Sequence, residues 1–135
     1  MFKKSQEDYL KAIYLINSNT SQNLVRSIEV ARVLKISKAA VSKMLRFLQK
    51  KKLIKADAYS RISLTKKGLH QAKIVIGKHR LIEVFLHQIK VSKFKIHQEA
   101  HLLEHAFSTS TIKKLNNFLG NPKFCPEGNP IPEIK

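Results

Sequence analysis

Six side chains that could bind a metal ion lie close together in the sequence. They are His79, Glu83, His97, His101, Glu104 and His105. The last three histidines recur every four residues, so on one α-helix they would stack on a single face with Glu104 beside it. His79 and Glu83 repeat this spacing on a separate predicted helix. Imidazole and carboxylate groups that converge from two helices suit a divalent transition metal.

The composition favours a metal site over the alternative that these histidines are ordinary surface or core residues. The chain has only nine acidic residues and six histidines, and all but one of the histidines lie between His79 and His105. We therefore predict a metal site in this part of the chain. Asp8 would be a further ligand if the first helix packs beside the histidine helix, and Cys125 in the proline-rich tail could also reach the site.

The charge of the whole chain indicates a polyanionic partner. Its 135 residues carry a formal net charge of +17 at pH 7. Double-stranded DNA or RNA is the first partner that this charge implies, ahead of an anionic membrane surface. No apolar run approaches the roughly 20 residues that span a bilayer, and no secretory signal opens the sequence. The single cysteine excludes an internal disulfide and fits a reducing cytoplasm.

Residues 27–51 have the pattern of a helix-turn-helix. A short predicted helix over 27–34 leads to a three-residue turn, and Ser37 then caps a second helix that runs from Lys38 to about Lys51. The exposed face of that helix, together with its cap, presents Ser37, Lys38, Ala39, Ser42, Lys43 and Arg46. Small residues permit close approach to the major groove, and hydroxyl and basic groups contact phosphates and base edges. An ordinary basic helical hairpin is the alternative.

Two short strands are predicted after this pair of helices, over 53–57 and 61–65. A hairpin in this position is the wing of a winged helix, and Tyr59 and Arg61 at its tip could contact the DNA backbone. An amphipathic helix over 5–17, capped by Ser5, is predicted to precede the whole arrangement.

The rest of the chain is predicted to be helical. One long helix covers 66–89 with Gly77 as its weak point, and further helices cover 93–107 and 110–119, the last capped by Ser110. The last two helices have more apolar residues than they can bury between themselves. This excess predicts a homodimer, in which a second copy of the chain covers the remaining apolar residues. The predicted fold is therefore mainly α with a small β wing: an N-terminal winged helix-turn-helix DNA-binding domain over 1–72, followed by a helical metal-binding and dimerisation domain over 73–135.

Several stretches resemble the metal-dependent repressors typified by the diphtheria toxin repressor and the manganese transport regulator. The matching stretches are EDYLKAIY from Glu7, VSKML from Val41, LTKKG from Leu64, HRLIEVFL from His79, EAHLLEH from Glu99 and CPEGNPIP from Cys125. They keep the family's order and spacing over nearly the whole chain. The resemblance implies a repressor of metal-uptake genes that binds a palindromic operator as a homodimer. It implies neither a membrane partner nor a small-molecule substrate.

The resemblance also implies two metal sites in each subunit. One comprises His79, Glu83 and His97, and longer relatives complete it from a C-terminal SH3-like domain that we expect this chain, which stops at Lys135, to lack. The other comprises Asp8, His101, Glu104 and His105, with Cys125 as an extra candidate. Relatives with a two-metal cluster instead bring His79 toward Asp8, Glu104 and His105. The implied DNA contacts are Ser37, Ala39, Ser42 and Lys43.

Two departures from the family pattern bear on the identity of the metal. His101 stands where relatives carry Cys or Glu, and Lys11 replaces a carboxylate that the manganese-type relatives use. The histidine-rich set of nitrogen and oxygen ligands favours Fe(II), with Mn(II) second.

Two other functions fit parts of the sequence. One is a winged-helix DNA-binding protein whose histidines merely pack and which does not respond to metal. The other is a zinc peptidase, because residues 101–105 match its HxxEH pattern. A peptidase needs an open coordination position in a substrate cleft, and it would leave the charge of +17 unexplained.

Overall fold

The structure is a computed structural model that describes residues 2–18, 24–57, 59 and 61–134, without the side chains of residues 2 and 3. The chain divides into two compact units, Met1–Ala72 and Lys73–Lys135, and the boundary between them falls within a helix. Each unit has a hydrophobic core of its own. The prediction of a mainly helical protein with a small β-sheet is confirmed.

The first unit contains the helix-turn-helix. Its elements are α1 (Phe2–Ser18), β1 (Val25–Arg26), α2 (Ser27–Leu34), α3 (Lys38–Lys50), β2 (Ile54–Ala56) and β3 (Arg61–Leu64). The turn between α2 and α3 begins at Lys35, whose φ of 56° is left-handed. Ser37 caps α3 as predicted, because its hydroxyl accepts the N–H of Ala40 at 3.1 Å. The predicted cap at Ser5 is wrong, since α1 already begins at Phe2.

The wing is part of a three-stranded antiparallel sheet. β3 lies in the centre, paired with β2 on one side and with β1 on the other. β1 was not predicted, because two residues are too few to show the alternation of a strand. The hairpin between β2 and β3 is closed by Asp57, whose carboxylate accepts the backbone N–H groups of Tyr59 at 2.8 Å and of Arg61 at 3.0 Å. Residues 58 and 60, also predicted at the tip, lie outside the described residues.

The core of the first unit is formed where the helices pack on the sheet. Leu10 and Ile13 of α1, Leu48 of α3 and Ile62 of β3 are all almost completely buried. Burial of each such side chain contributes about 1.5–3 kcal/mol. The core therefore joins α3, the second helix of the helix-turn-helix, and the hairpin of β2 and β3 in one compact unit.

The second unit consists of helices and an irregular tail. α4 (Lys66–Gln88) runs into it from the first unit and is followed by α5 (Lys93–Leu103) and α6 (Thr109–Phe118). The tail after α6 is not helical, and a single β-bridge joins Phe124 to Pro130. Leu81, Ile82 and Ile112 lie in the core of this unit. No helix in the described part of the chain is long and apolar enough to cross a membrane.

Two predicted helix ends in the second unit are wrong. α5 ends at Leu103 rather than at residue 107, so Glu104 and the two residues after it form a turn. α6 is capped by Ser108 and not by Ser110, because the Ser108 hydroxyl accepts the N–H of Thr111 at 3.1 Å. Both differences concern the segment between α5 and α6, which carries two of the predicted ligands, Glu104 and His105.

Candidate metal centre

The first cluster comprises His79, Glu83 and His97. His79 and Glu83 lie one turn apart on α4, and both are buried. His79 Nε2 lies 3.5 Å from Glu83 Oε1 and 3.2 Å from Nδ1 of His97, which belongs to α5. The His97 side chain is largely exposed and lies 3.5 Å from Glu83 Oε2. The first cluster is therefore closed on the α4 side and open to solvent on the α5 side.

The second cluster comprises His101, Glu104 and His105. Glu104 is completely buried, and its two carboxylate oxygens face different histidines. Oε1 lies 3.7 Å from His101 Nδ1, and Oε2 lies 3.8 Å from His105 Nε2. The two imidazole rings meet edge to face, with centroids 5.7 Å apart. One possible ligand atom from each member lies within 4.8 Å of those of the others.

The prediction that three histidines share one helical face requires correction. His97 and His101 lie on α5, but His105 follows the end of that helix. His97 joins the first cluster with His79, whereas His105 joins the second with Glu104. The three histidines spaced four residues apart therefore belong to two different clusters and do not form a single row.

The two clusters are joined by a hydrogen bond. His79 Nδ1 lies 2.6 Å from Glu104 Oε1. An ionised carboxylate only accepts hydrogen bonds, so towards ionised Glu104 the ring nitrogen Nδ1 is the donor. Nε2 faces Glu83 and His97 and is the His79 nitrogen that would bind a metal in the first cluster.

The charge and chemistry of both clusters fit a divalent metal ion. Burial raises the pKa of Glu83, but hydrogen bonds and positive charge from His79 and His97 lower that pKa by more, so it lies below its ordinary value. Glu83 and Glu104 are thus buried carboxylates in a strongly basic chain. Buried charges need a compensating partner, and each cluster offers two imidazoles and one carboxylate to a transition metal.

The remaining two candidate ligands come from other segments of the sequence. Asp8 is half-buried on α1, in the first unit. Cys125 is a buried free thiol in a tail turn, where its N–H donates to the carbonyl of Asn129 at 2.9 Å. Neither the first nor the second cluster includes Cys125, so its role as a ligand stays a prediction without geometric support.

The residues predicted to contact DNA are all exposed in the first unit. On α3 and its cap they are Ser37, Lys38, Ala39, Ser42, Lys43 and Arg46. On the wing, Tyr59 is 80% exposed, and the Arg61 guanidinium stacks on its ring at 5.4 Å from the centroid. The Asp57 carboxylate also pairs with the Arg61 side chain at 2.7 Å, which limits where that guanidinium can point.

Arg26 is an additional candidate that the sequence did not reveal. It is exposed and is paired with Arg61 in the β1–β3 ladder. Two arginines side by side on neighbouring strands suit a phosphate group. No sequence signal could have identified Arg26, because β1 was not recognisable as a strand.

Two family models match consecutive parts of the chain. Residues 1–62 match the N-terminal DNA-binding domain of the iron dependent repressors. Residues 65–133 match the metal-binding and dimerisation domain of the same repressors.

Individual relatives agree with these matches. An uncharacterised HTH-type transcriptional regulator of Methanocaldococcus jannaschii is 32% identical over 117 residues, which are 86% of this chain and 93% of that protein. The structure of the manganese regulator SloR has a TM-score of 0.82 and 38% identity, and covers 96% of this chain and 60% of its own. A hypothetical protein from Sulfolobus solfataricus has a TM-score of 0.78 and 28% identity, with coverages of 96% and 98%.

The chain therefore spans about 60% of the length of SloR but nearly all of the Sulfolobus protein. The matches decide against the zinc peptidase, because the family consists of transcriptional regulators and not of enzymes. The chain belongs to the iron dependent repressors, the family of metal-dependent, DNA-binding transcriptional regulators typified by the diphtheria toxin repressor and the manganese transport regulator.

Proposed function

We propose that this protein represses metal-uptake genes in response to Fe(II), with Mn(II) as the second metal, by binding a palindromic operator as a homodimer. The observation that carries this proposal is the composition of the two clusters. The first cluster combines two imidazoles with one buried carboxylate, and the second combines two imidazoles with buried Glu104 and, as the resemblance implies, with Asp8. The histidine-rich set of nitrogen and oxygen ligands favours Fe(II), and the additional carboxylate of the second cluster keeps Mn(II) as the second metal.

Exposed apolar side chains in the second unit support the homodimer. Phe94 is 93% exposed, Phe118 is 81% exposed and Leu102 is 59% exposed. Large apolar groups in one exposed patch are typical of protein interfaces, so we expect these three side chains to lie in the dimer interface. A twofold interface in this unit would present two copies of α3 to one DNA duplex.

The proposed DNA contacts divide into two kinds. Ser37, Ala39 and Ser42 are small enough for α3 to approach base edges in the major groove. The second kind comprises exposed residues of α3, the sheet and the wing that would contact phosphates. They are Lys38, Lys43 and Arg46 on α3, and Arg26, Tyr59 and Arg61 on the sheet and wing. Contacts of the second kind supply affinity for any duplex and make binding depend on salt.

The proposed mechanism depends on Asp8, which the family resemblance implies as a ligand together with the second cluster. Asp8 belongs to the DNA-binding unit, and His101, Glu104 and His105 belong to the dimerisation unit. A bound divalent cation would supply positive charge and a fixed coordination geometry. Ligands contributed by both units would then set the separation of the two recognition helices at about one DNA turn, ~34 Å. Coupling of this type typically contributes about 1–3 kcal/mol.

Fluorescence anisotropy with a palindromic A/T-rich duplex tests the proposed function. The titration is run anaerobically at about 0.15 M salt, first with chelator and then with Fe(II) or Mn(II), because a basic chain binds any duplex at low salt. We expect at least about tenfold tighter binding with metal, on the palindrome only, and a stronger effect of Fe(II). A scrambled duplex is the control. Equal binding with and without metal would leave a metal-independent DNA-binding protein.

A further inference from the structure

Lys78 is buried at a point where α4 is enclosed on all sides. The five consecutive residues 75–79 are all buried, although an ordinary surface helix buries only one stripe. Lys78 itself is only 5% exposed. A lysine is rarely so buried unless its nitrogen has a partner. One partner is the backbone carbonyl of Phe107, which accepts a hydrogen bond from Lys78 Nζ at 2.7 Å.

The carbonyl that Lys78 holds belongs to the segment that carries the second cluster. Residues 104–108 connect α5 to α6, and Glu104 and His105 lie at their start. Within this segment, the N–H groups of Ala106 and Phe107 both bond to the carbonyl of Leu103. The bond of Phe107 spans four residues as in an α-helix, whereas that of Ala106 spans only three. The segment thus leaves the regular helix, and contacts with other elements help to fix its position.

Two neighbouring residues of α4 contact this segment at its two ends. His79 Nδ1 is hydrogen-bonded to Glu104 Oε1 at 2.6 Å, and Lys78 Nζ is bonded to the Phe107 carbonyl at 2.7 Å. His79 also belongs to the first cluster, whereas Lys78 belongs to neither cluster. Lys78 is thus a group that can be changed without removing a candidate ligand.

We infer that Lys78 is a positioning residue of the second cluster. Its hydrogen bond holds the segment 104–108 against α4, so that Glu104 and His105 face His101 before any metal binds. Groups that orient metal ligands typically change metal affinity by about 10–100-fold when they are removed. This inference rests on the proposed function, because it assumes that the second cluster binds metal.

Mn(II) binding is measured for two variants, each of which retains one of the two clusters, to test the inference. His97→Ala disables the first cluster and leaves the second, whereas His105→Ala does the opposite. Lys78→Met, which keeps most of the side-chain volume and removes the donor, is added to each. We expect about tenfold weaker Mn(II) binding by isothermal titration calorimetry in the His97→Ala background, and less than about twofold change in the His105→Ala background. Lys73→Met, at an exposed position of the same helix, should change neither.

Hydrogen exchange of the metal-free protein supplies a second readout. Without the Lys78 bond, the amides of Ala106 and Phe107 should exchange faster, while core amides of Leu81 and Ile82 remain protected. Equal loss of Mn(II) affinity in both backgrounds would mean that Lys78 only stabilises the fold, and would overturn the inference. The inference would also be overturned if Lys78→Met left Mn(II) binding unchanged or made it tighter in the His97→Ala background. If His97→Ala alone bound no Mn(II) while the wild-type protein did, the proposed role of the second cluster would fail instead.

Discussion

Gly68, the last residue of the LTKKG stretch, lies against the backbone of another element. Its N–H donates to the hydroxyl of Thr65 at 3.0 Å, which caps the start of α4. A Cβ at Gly68 would lie only 1.9 Å from the carbonyl oxygen of Leu53. That same oxygen accepts the N–H of Thr65 at 3.0 Å, so the contact joins the base of the wing to α4. Only glycine permits the close approach.

Gly68→Ala is therefore expected to destabilise the protein, although alanine is the better helix former. A clash with a backbone oxygen cannot be relieved by a side-chain rotation, and overpacking of this kind costs about 1–3 kcal/mol or more. Urea denaturation followed by circular dichroism measures the loss.

The matched control is Gly77→Ala in the same helix. There the Cβ would lie 2.9 Å from Cγ1 of Ile134, an atom of a flexible side chain, and 3.1 Å from the Pro132 carbonyl. The gain in helix propensity of about 1 kcal/mol should offset much of that strain. Equal losses for both variants would contradict the close approach at Gly68. α4 runs through Gly77 without a break, and the tail packs on the helix there.

Spacing within a helix predicted the candidate ligand residues, but only the family resemblance implied how they group. Spacing paired His79 with Glu83, because residues four apart share a helix face. It also placed His97, His101 and His105 in one row, which the structure divides between the two clusters. The hydrogen bond between His79 and Glu104 joins residues 25 positions apart. Such a contact depends on how α4 and α5 pack, which spacing within one helix does not determine.

Among the elements, the helices were predicted better than their ends. The apolar pattern of α5 continues beyond Leu103, and no glycine or proline follows to stop it. In the structure the next residues form a turn, in which the Glu104 side chain and the Phe107 carbonyl contact α4. For α6, Ser108 and Ser110 stand two residues apart in the run STST. Either hydroxyl can cap a helix, so the sequence alone left the choice open.

The two serine caps give a prediction at the scale of the helix. Ser37 and Ser108 each accept an N–H three residues ahead at 3.1 Å. Ser37→Ala and Ser108→Ala should each destabilise the protein by about 1 kcal/mol. Only Ser37→Ala should also weaken binding to the operator duplex, because Ser37 lies at the start of the recognition helix.

Thermal denaturation and anisotropy with the same samples separate these two effects. Ser108→Ala serves as the control for the loss of a cap in itself. Ser37→Ala with wild-type operator affinity would show that this serine is a cap and not a DNA contact.

At the scale of the whole molecule, charge and family agree on DNA as the partner. The net charge of +17 indicated a polyanion, and the family models identify a DNA-binding domain followed by a metal-binding and dimerisation domain. Charge alone could not distinguish DNA from RNA. The helix-turn-helix spacing and the resemblance to the repressors did so, because both depend on the order of elements.

Removal of a ligand from either unit tests how metal binding controls the whole molecule. Asp8→Ala and His105→Ala should each keep the fold but lose the metal stimulation of operator binding. Asp8 belongs to the unit that carries α3, and His105 to the unit proposed to dimerise. In the proposed mechanism, loss of either residue would leave the metal unable to connect the two units. A stimulation of tenfold or more should fall to less than about twofold, the loss of roughly 1 kcal/mol or more of coupling.

His87→Ala is the control for these two variants, since His87 is an exposed histidine of α4 outside both clusters. It should retain full stimulation. Circular dichroism establishes that each variant is folded, and binding in chelator establishes that its basal affinity for DNA is unchanged. His105→Ala that loses stimulation while Asp8→Ala keeps it would place the regulatory site within the dimerisation unit alone. Full stimulation in both variants would contradict the mechanism. If the metal joined the two units through Asp8 and His105, loss of either residue would reduce the stimulation.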